Sequence, residues 1–289
     1  MQSSIVRPRG VYALAALWLC LAVAGSVHAQ SEQKPAGQRV FFTGHSFHMF
    51  VPRLFGEVIA AAGIQGHQTA GTQSIGGSRV IQHWDLPADR NKAKPALESG
   101  QIDVFTMAAH LEIPDQGITN FVELGLKHNP KIRFLVQASW FPYDVPGDAR
   151  IKDNAERDHA KIPDLQAAID NWRTSLERQI DDLNRLHGRR VIDIIPAGDA
   201  VIQLRALVAD GKYPGVAKQS ELFRDPIGHG TQHVHWLVTY CNFATLYRIS
   251  PAGLNLTTAD VTQGQHAILQ RIAWDTVAKY AYSGANKGN

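Results

Sequence analysis

The sequence predicts an α/β fold, a three-layer sandwich in which helices cover both faces of a central parallel sheet. Short apolar runs typical of buried strands recur along the chain, at residues 39–43, 102–107, 132–138 and 191–195. Amphipathic segments with helical spacing separate these runs, and strands that alternate with helices form parallel sheets covered on both faces. In such sheets the reacting groups collect at the carboxyl ends of the strands, so the residues that follow each strand are the first candidates for a site.

The N-terminal half of the domain begins with the strand at residues 39–43. A helix is predicted next, because four apolar side chains fall on one of its faces: Phe50, Leu54, Val58 and Ile59. Residues 67–75 are rich in Gln, Thr and Ser, which favours a strand at the edge of the sheet. Residues 78–98 predict a helix with an interruption near its first proline, ahead of the second buried strand at 102–107.

The C-terminal half contains the clearest helix, at residues 164–187, after a polar segment at 141–162 that we interpret as an insertion. Six apolar residues of this helix fall on one face, which predicts that all of them lie in the core: Leu165, Ile169, Trp172, Leu176, Ile180 and Leu183. Further helices are predicted at residues 118–126, 201–208, 232–247 and 260–282.

The first 29 residues have the layout of a secretory signal. Arg7 and Arg9 precede an apolar run at residues 11–25, and the small-residue pattern that follows ends at Ala29, the expected cleavage site. The alternative is a membrane anchor, but the run of about 15 residues is shorter than the roughly 20 that a spanning helix needs. We therefore expect an exported protein, either periplasmic or secreted.

The mature chain of about 260 residues is ample for one large domain at 38–284, between a linker at 30–37 and a flexible tail at 285–289. Signal removal takes away two arginines and no acid, so the formal net charge falls from +3 to +1. This near-neutral charge gives no reason to expect nucleic acid or, after cleavage, a membrane as partner, and nothing indicates an oligomeric state. Cys241 becomes the lone cysteine, and its inward place on a helix predicts a packed thiol without a disulfide.

The candidate chemistry begins at the end of the first strand. Ser46 follows Gly44 and His45 where the strand is expected to give way to a helix, which exposes the hydroxyl and directs the backbone N–H out of a helix N-terminus. Both features suit a nucleophile, although a plain N-cap serine fits the same place. A base and an orienting carboxylate are available near the other end of the chain, where Asp225 and His229 share one loop.

Three segments resemble the sequence blocks of the SGNH (GDSL-like) hydrolases. Residues 44–47 (GHSF) are similar to the first block, residues 74–79 (SIGGSR) to the second, and residues 225–229 (DPIGH) to the C-terminal Asp-x-x-His block. The order of the blocks, their spacing and their predicted strand context agree over most of residues 38–250.

The resemblance implies a flavodoxin-like SGNH hydrolase fold and a complete site. Ser46 would be the nucleophile, His229 the general base and Asp225 the residue that orients the imidazole. The backbone amides of Ser46 and Gly77 would form two-thirds of the oxyanion hole. Such a site requires neither a metal ion nor an organic cofactor.

Two features depart from the pattern of that family. Asp225 and His229 are four positions apart instead of three, and Gly228 is the residue that would let the loop absorb the extra position. The Gly-x-Asn-Asp block is missing, and its place after the second strand holds residues 108–111 (AAHL). There His110 either donates a ring N–H in place of the asparagine amide or is a structural residue.

The motifs favour an exported serine ester hydrolase that acts on acyl esters, with a small-molecule or, by analogy of fold, a carbohydrate ester as substrate. The missing asparagine block favours the alternative of a non-catalytic relative that binds a carbohydrate or a cell-surface ligand. A third hypothesis is a metal-dependent hydrolase built on His229, His233 and His235, although no acid stands between the first two as the zinc-protease motif requires. Trp140 and Asp144 are expected either at the rim of the substrate site or as a core aromatic and a loop cap.

Overall fold

The computed structural model describes residues 1–4, 34–145 and 150–285, and the fold below is that of the unit that begins at Lys34. Most of the predicted signal segment with its cleavage site, part of the linker and the last residues of the tail lie outside the described residues. Within the described ranges, no helix combines the length and the apolar character needed to cross a membrane.

Five parallel strands form the central sheet, in the order β2-β1-β3-β4-β5. The strands are β1 (Arg39–Gly44), β2 (Gln68–Ser74), β3 (Val104–Ala108), β4 (Arg133–Gln137) and β5 (Ile192–Ile195). The last three are almost wholly buried, as expected of parallel strands covered on both faces, whereas β2 is the polar edge strand that the sequence predicts. The strand order reverses between β1 and β3, and ligands of such doubly wound sheets bind at the carboxyl ends beside that point.

Helices cover both faces of this sheet, which confirms the predicted three-layer architecture. The helices are α1 (Val51–Ala62), α2 (Val80–Trp84), α3 (Ala93–Glu98), α4 (Gln116–His128), α5 (Ile162–Leu186), α6 (Ala197–Ala209), α7 (Gln232–Tyr247) and α8 (Gln263–Lys279). Helices α1, α6, α7 and α8 share one buried cluster with Val40 and Phe42 of β1, and α2 to α5 share the other with Phe41. Alternate residues of a strand face opposite sides, so one strand contributes to both layers of core.

Helix boundaries differ from the sequence-based prediction where local packing or capping decides them. Helix α6 begins at Ala197 instead of 201, because its first turn packs closely on the loop after β4: a Cβ on Gly198 would lie 2.8 Å from the Ser139 carbonyl oxygen. Helix α8 begins after Thr262, whose hydroxyl accepts a hydrogen bond from the Gln265 amide (3.3 Å) as an N-cap. Neither feature changes the apolar periodicity, which is why that pattern misses it.

The remaining regular elements are short 3-10 helices. They lie at Pro142–Asp144, Asn154–His159, Gln219–Leu222 and Ala281–Ser283. The first two belong to the polar segment at 141–162, which the sequence predicts to be irregular. The described part of that segment is therefore more ordered than predicted, and its contacts bear directly on the site.

Candidate active site

Ser46 lies in the turn that follows β1, at the carboxyl edge of the sheet. The ends of β1 and β3 approach so closely that a Cβ on Gly44 would lie 2.9 Å from the Cβ of Ala108. The His48 amide donates to the His45 carbonyl oxygen (3.0 Å) and closes the turn. Helix α1 begins only after this turn. The prediction that Ser46 lies at a helix N-terminus is therefore wrong, both for a capping serine and for a serine whose amide extends from a helix. The turn itself exposes the hydroxyl.

The structure brings the three predicted site residues within hydrogen-bond distance of one another. The Ser46 Oγ lies 2.9 Å from Nε2 of His229, although 183 positions separate the two residues. The other ring nitrogen, Nδ1, lies 2.7 Å from Oδ2 of Asp225. An ionised carboxylate accepts only, so Nδ1 carries the proton and Nε2 is left to accept the serine O–H. The three side chains therefore form one continuous line of hydrogen bonds.

Asp225 is held in its ionised form by its own loop. Partial burial would raise the pKa of this carboxyl, but hydrogen bonds from the His229 ring, the His229 amide and the Gly228 amide outweigh it and lower the pKa. The two amides donate to Oδ1, at 3.2 and 3.0 Å, which leaves Oδ2 for the imidazole. The carboxylate is thereby fixed in the orientation that one tautomer of His229 requires.

Gly228 accommodates the extra residue of the loop, as the sequence predicts. Its φ of 103° lies in the region that favours glycine. A Cβ at this position would also lie 3.1 Å from Nη2 of Arg157 and 3.4 Å from Nε1 of Trp140. Position 228 therefore requires glycine for two reasons: the positive φ, and the close approach of the Arg157 and Trp140 side chains to the loop.

The loop at residues 225–229 is held by the segment that follows β4, which we name the insertion segment (residues 140–160). Four consecutive backbone carbonyl oxygens of the loop accept hydrogen bonds from described residues of the insertion segment. Arg157 Nη2 donates to the carbonyls of Asp225 (3.4 Å) and Pro226 (2.6 Å), the Tyr143 amide to that of Ile227 (3.0 Å), and Trp140 Nε1 to that of Gly228 (2.9 Å). The position of His229 over Ser46 thus depends on a segment that motif comparison does not include.

Arg157 is itself fixed by a buried charge cluster. Its guanidinium pairs with Asp144, which also accepts from Arg205 at 2.7 Å, and all three residues are buried. Both guanidinium groups also stack on the ring of Phe223. Asp144 therefore belongs to a buried ion-pair network and not to the rim of the site. Trp140 is buried, packs on Phe47 and also lines the cavity beside Ser46.

The change Arg157→Met is expected to lower kcat for an ester substrate at least tenfold, because the partly buried Pro226 carbonyl loses its donor, the Asp225 carbonyl keeps only the Gly228 amide, and His229 loses its fixed position. Each buried acceptor left unpaired costs about 1–3 kcal/mol, so the free energy of unfolding is expected to fall as well. Arg205→Met is the matched control: Arg205 shares Asp144 and Phe223 but makes no hydrogen bond to loop residues 225–229. Both variants should be compared by urea unfolding and by steady-state turnover, and equal losses of kcat would contradict this positioning role.

Two backbone amides near Ser46 are free to bind an anion. In the part of the chain that the structure describes, the N–H groups of Ser46 and Gly77 make no hydrogen bond with the protein. Both residues line the same cavity, and Gly77 has the left-handed φ of 59°. His110 lines this cavity too, and its buried Nδ1 has no hydrogen-bond partner among the described residues. These are the groups that the sequence predicts as oxyanion donors, and that role stays a prediction.

The two histidines that flank Ser46 are structural. His45 is buried, which lowers its pKa to about 3, and both ring nitrogens bind backbone: the Phe47 amide and the Ala109 carbonyl, each at 3.2 Å. His48 is also buried, which lowers its pKa to about 4, and it binds the side chains of Gln137 (2.8 Å) and Thr106 (2.9 Å). The two rings are therefore neutral at ordinary pH, and their hydrogen bonds hold the turn that contains Ser46.

Gln137 is a site-supporting residue that the sequence analysis misses. Its Nε2 donates to the Phe47 carbonyl oxygen at 2.8 Å, and its Oε1 accepts from His48 and from Asn242. The side chain is fully buried at the end of β4. A signal was available, since a glutamine inside the apolar run 132–138 must find partners once the strand is buried.

The three histidines near the start of α7 have separate partners. His229 contacts Ser46 and Asp225, His233 binds the Tyr213 hydroxyl (2.9 Å), and His235 stacks on a phenylalanine ring. Over the described ranges, no group of three His, Cys, Asp or Glu side chains is arranged to hold a metal ion. The side-chain geometry therefore gives the metal hypothesis no ligand set.

Two further expectations have different outcomes. Cys241 is a packed thiol in the core, as predicted, and burial raises its pKa. Trp172 is not a core residue: it is partly exposed and lines the cavity beside Ser46. Its indole N–H donates to the Leu111 carbonyl oxygen (2.9 Å), so this turn of α5 faces the loop after β3 instead of the sheet. Helical periodicity identifies the inward face but not which of its residues extend past the strand ends.

Comparison with known proteins adds similarity at the level of the fold. No protein-family model matches the sequence, and no curated protein is detectably similar to it. Among solved structures, a DUF4886 family protein from Bacteroides uniformis is 14% identical, with a TM-score of 0.54 over 84% of this chain and 95% of that one.

Two other solved structures carry the names of the family that the motifs resemble. A protein from Parabacteroides merdae described as a GDSL-like lipase is 10% identical, with a TM-score of 0.42 over 72% of this chain and 95% of that one. A protein from Slackia heliotrinireducens described as an SGNH hydrolase is 14% identical, with a TM-score of 0.44 over 73% of this chain and 99% of that one. Of these three structures, the DUF4886 family protein has a TM-score above 0.5, and at 14% identity its similarity concerns the fold alone.

Proposed function

We propose that this protein is a serine ester hydrolase. The observation that carries the proposal is the line of hydrogen bonds from Ser46 through His229 to Asp225, which ends beside an apolar cavity. A serine in hydrogen bond to a histidine, with the histidine oriented by a carboxylate, is the arrangement that activates a hydroxyl for acyl transfer. The flanking residues His45 and His48 have no free nitrogen for this purpose.

In the acylation half, Ser46 Oγ attacks the carbonyl carbon of the ester while Nε2 of His229 takes the serine proton. The negative oxygen of the tetrahedral intermediate is held by the amides of Ser46 and Gly77, with His110 as the third donor. Asp225 stabilises the imidazolium that forms. The intermediate then expels the alkoxy group, which receives the proton from His229 and leaves as the alcohol, and the acyl group remains on Ser46.

In the deacylation half, a water molecule replaces the alcohol. His229 removes one proton from that water, and the resulting hydroxide attacks the acyl carbon. The second tetrahedral intermediate collapses to a carboxylic acid, and Ser46 recovers its proton from the imidazolium. The sum of both halves is one ester and one water converted to one acid and one alcohol.

We further propose that the chain acts outside the cytoplasm, after removal of residues 1–29, and that its alcohol is a carbohydrate. The layout of the N-terminal residues supports export. The exposed position of Ser46 supports a bulky alcohol, because a large leaving group needs open space in front of the nucleophile. The purified domain tested on acetylated sugars would report on the second point.

The test of the function is hydrolysis of 4-nitrophenyl acetate by the purified chain, with and without a fluorophosphonate. We expect saturable turnover that one equivalent of reagent per chain abolishes, because a fluorophosphonate reacts with an activated serine. Hydrolysis that continues undiminished under excess reagent would contradict a serine mechanism. Absence of turnover combined with binding of a carbohydrate would favour the non-catalytic alternative, which the missing asparagine block supports.

A further inference from the structure

The cavity beside Ser46 has a defined shape and chemistry. Its volume is about 70 Å³, and it is lined by Ser46, Gly77 and His110 together with a wall of largely apolar side chains. The wall includes Phe47, Leu111, Trp140, Phe141, Trp172 and Ile227. The cavity therefore opens directly onto the proposed nucleophile and oxyanion donors.

The position of His229 decides which part of an ester enters this cavity. The described residues that line it include Ser46 but not His229. The general acid must reach the oxygen of the leaving group, so the alcohol lies on the side of His229. The acyl group, on the other side of the carbonyl carbon, is then directed into the cavity.

The wall of the cavity offers an acyl group apolar contacts and few polar ones. The indole N–H groups of Trp140 and Trp172 donate to backbone carbonyls, and the Ser139 hydroxyl accepts from Gln137. Both nitrogens of His45 are bound to backbone. No Asp, Glu, Lys or Arg is among the lining residues that the structure describes. A charged acyl group would lose its water here without gaining a partner, which is costly.

The size of the cavity limits the length of the acyl chain. A volume of about 70 Å³ is less than half of the roughly 150 Å³ of an engineered cavity that binds benzene. Space on this scale encloses an acyl chain of a few carbons, and the remainder of a long chain would lie outside the apolar wall. In hydrophobic pockets a single methylene changes specificity by about 10–200-fold, so a steep dependence on chain length follows.

We infer that the cavity is an acyl pocket for short and uncharged acyl groups, from acetyl to butyryl, and that Trp172 is a specificity-determining residue of its wall. The inference rests on the proposed ester hydrolysis. Trp172 is the indole of the wall that is partly exposed, so its truncation widens the cavity with less loss of core packing than truncation of the buried Trp140.

The test compares kcat/KM for the 4-nitrophenyl esters of acetic, butyric and octanoic acid, and for the mono-4-nitrophenyl ester of succinic acid. We expect the octanoate and the charged succinate to be hydrolysed at least tenfold less efficiently than the butyrate. The change Trp172→Ala should raise the ratio of octanoate to acetate at least tenfold. The matched control is Trp84→Ala, which removes a partly buried indole that packs on Phe121 of α4 outside the cavity, and it should keep the wild-type ratio.

The outcomes separate this inference from the proposed function. If the wild-type chain hydrolyses none of the esters, the proposed function is overturned, and the acyl pocket with it. If the chain hydrolyses them with a flat or rising dependence on length, or if Trp172→Ala keeps the wild-type ratio, ester hydrolysis stands and the acyl pocket is overturned. An equal change in Trp84→Ala would assign the effect to general loosening of the fold.

Discussion

The change His229→Ala is expected to lower kcat for 4-nitrophenyl acetate by at least about 10⁴-fold, and by up to about 10⁶-fold, the range seen when a triad histidine is removed. No other imidazole nitrogen among the described residues hydrogen-bonds to the Ser46 hydroxyl, so the serine would lose its proton acceptor. The fold is expected to survive, because His229 is partly exposed and sits on a loop. Steady-state kinetics and the urea unfolding midpoint measure the two effects separately.

His233→Ala is the matched control for that change. His233 lies four positions further along, in the first turn of α7, and binds the Tyr213 hydroxyl, away from Ser46. Turnover of this variant is expected to remain within about twofold of wild type, as for other substitutions that leave the reacting groups in place. Equal losses in both variants would support the hypothesis of a metal site on the histidine cluster and would contradict the serine mechanism.

The change Asp225→Asn is expected to lower kcat about 10⁴-fold while the fold remains intact. An asparagine side chain has the same shape, and its carbonyl can still accept from the amides of Gly228 and His229. Its NH₂ group would donate to Nδ1, so the proton would move to Nε2, which then could not accept the proton of Ser46. The variant would thus keep the His229 ring close to its wild-type position but in the tautomer that cannot accept the Ser46 proton.

The same measurement distinguishes a triad from a dyad. If Asp225→Asn keeps the turnover of the wild type while His229→Ala loses it, Ser46 and His229 act without the carboxylate. In that case the hydrogen bond of 2.7 Å between Asp225 and the ring would be structural only. The position of His229 beside Ser46 would then depend on the other contacts of its loop, including those of the insertion segment, and Arg157→Met would become the more damaging change.

Much of the fold follows from the sequence because the apolar runs are unambiguous. Four strands are buried enough to appear as continuous runs, and their alternation with helices leaves a parallel sheet as the main solution. The topology then brings Ser46 and the loop at 225–229 to one edge, although they are distant in the chain. The periodicity of apolar residues does not predict where each helix or strand ends, because the ends depend on single contacts such as the cap at Thr262.

The site could be predicted only in part, for a physical reason. The proposed reacting residues Ser46, Asp225 and His229 appear in short motifs, so their resemblance to the blocks of a known family can identify them. Residues that hold them act through backbone groups, and a backbone carbonyl is available at every position. Arg157 and Gln137 bind carbonyls of the loop and of the serine turn, and nothing in the spacing of either residue indicates which carbonyl it meets.

The central claim, that Ser46 is the nucleophile, is tested most directly by locating the adduct of a fluorophosphonate by mass spectrometry. Cleavage after Arg39 and Arg53 gives a tryptic peptide at residues 40–53 whose single serine is Ser46. We expect one phosphonyl group per chain on that peptide, at Ser46, in parallel with loss of ester turnover, and no adduct in Ser46→Ala. Loss of turnover with the adduct on another residue, or an unmodified peptide in a fully inactivated protein, would contradict the role of Ser46 as the nucleophile.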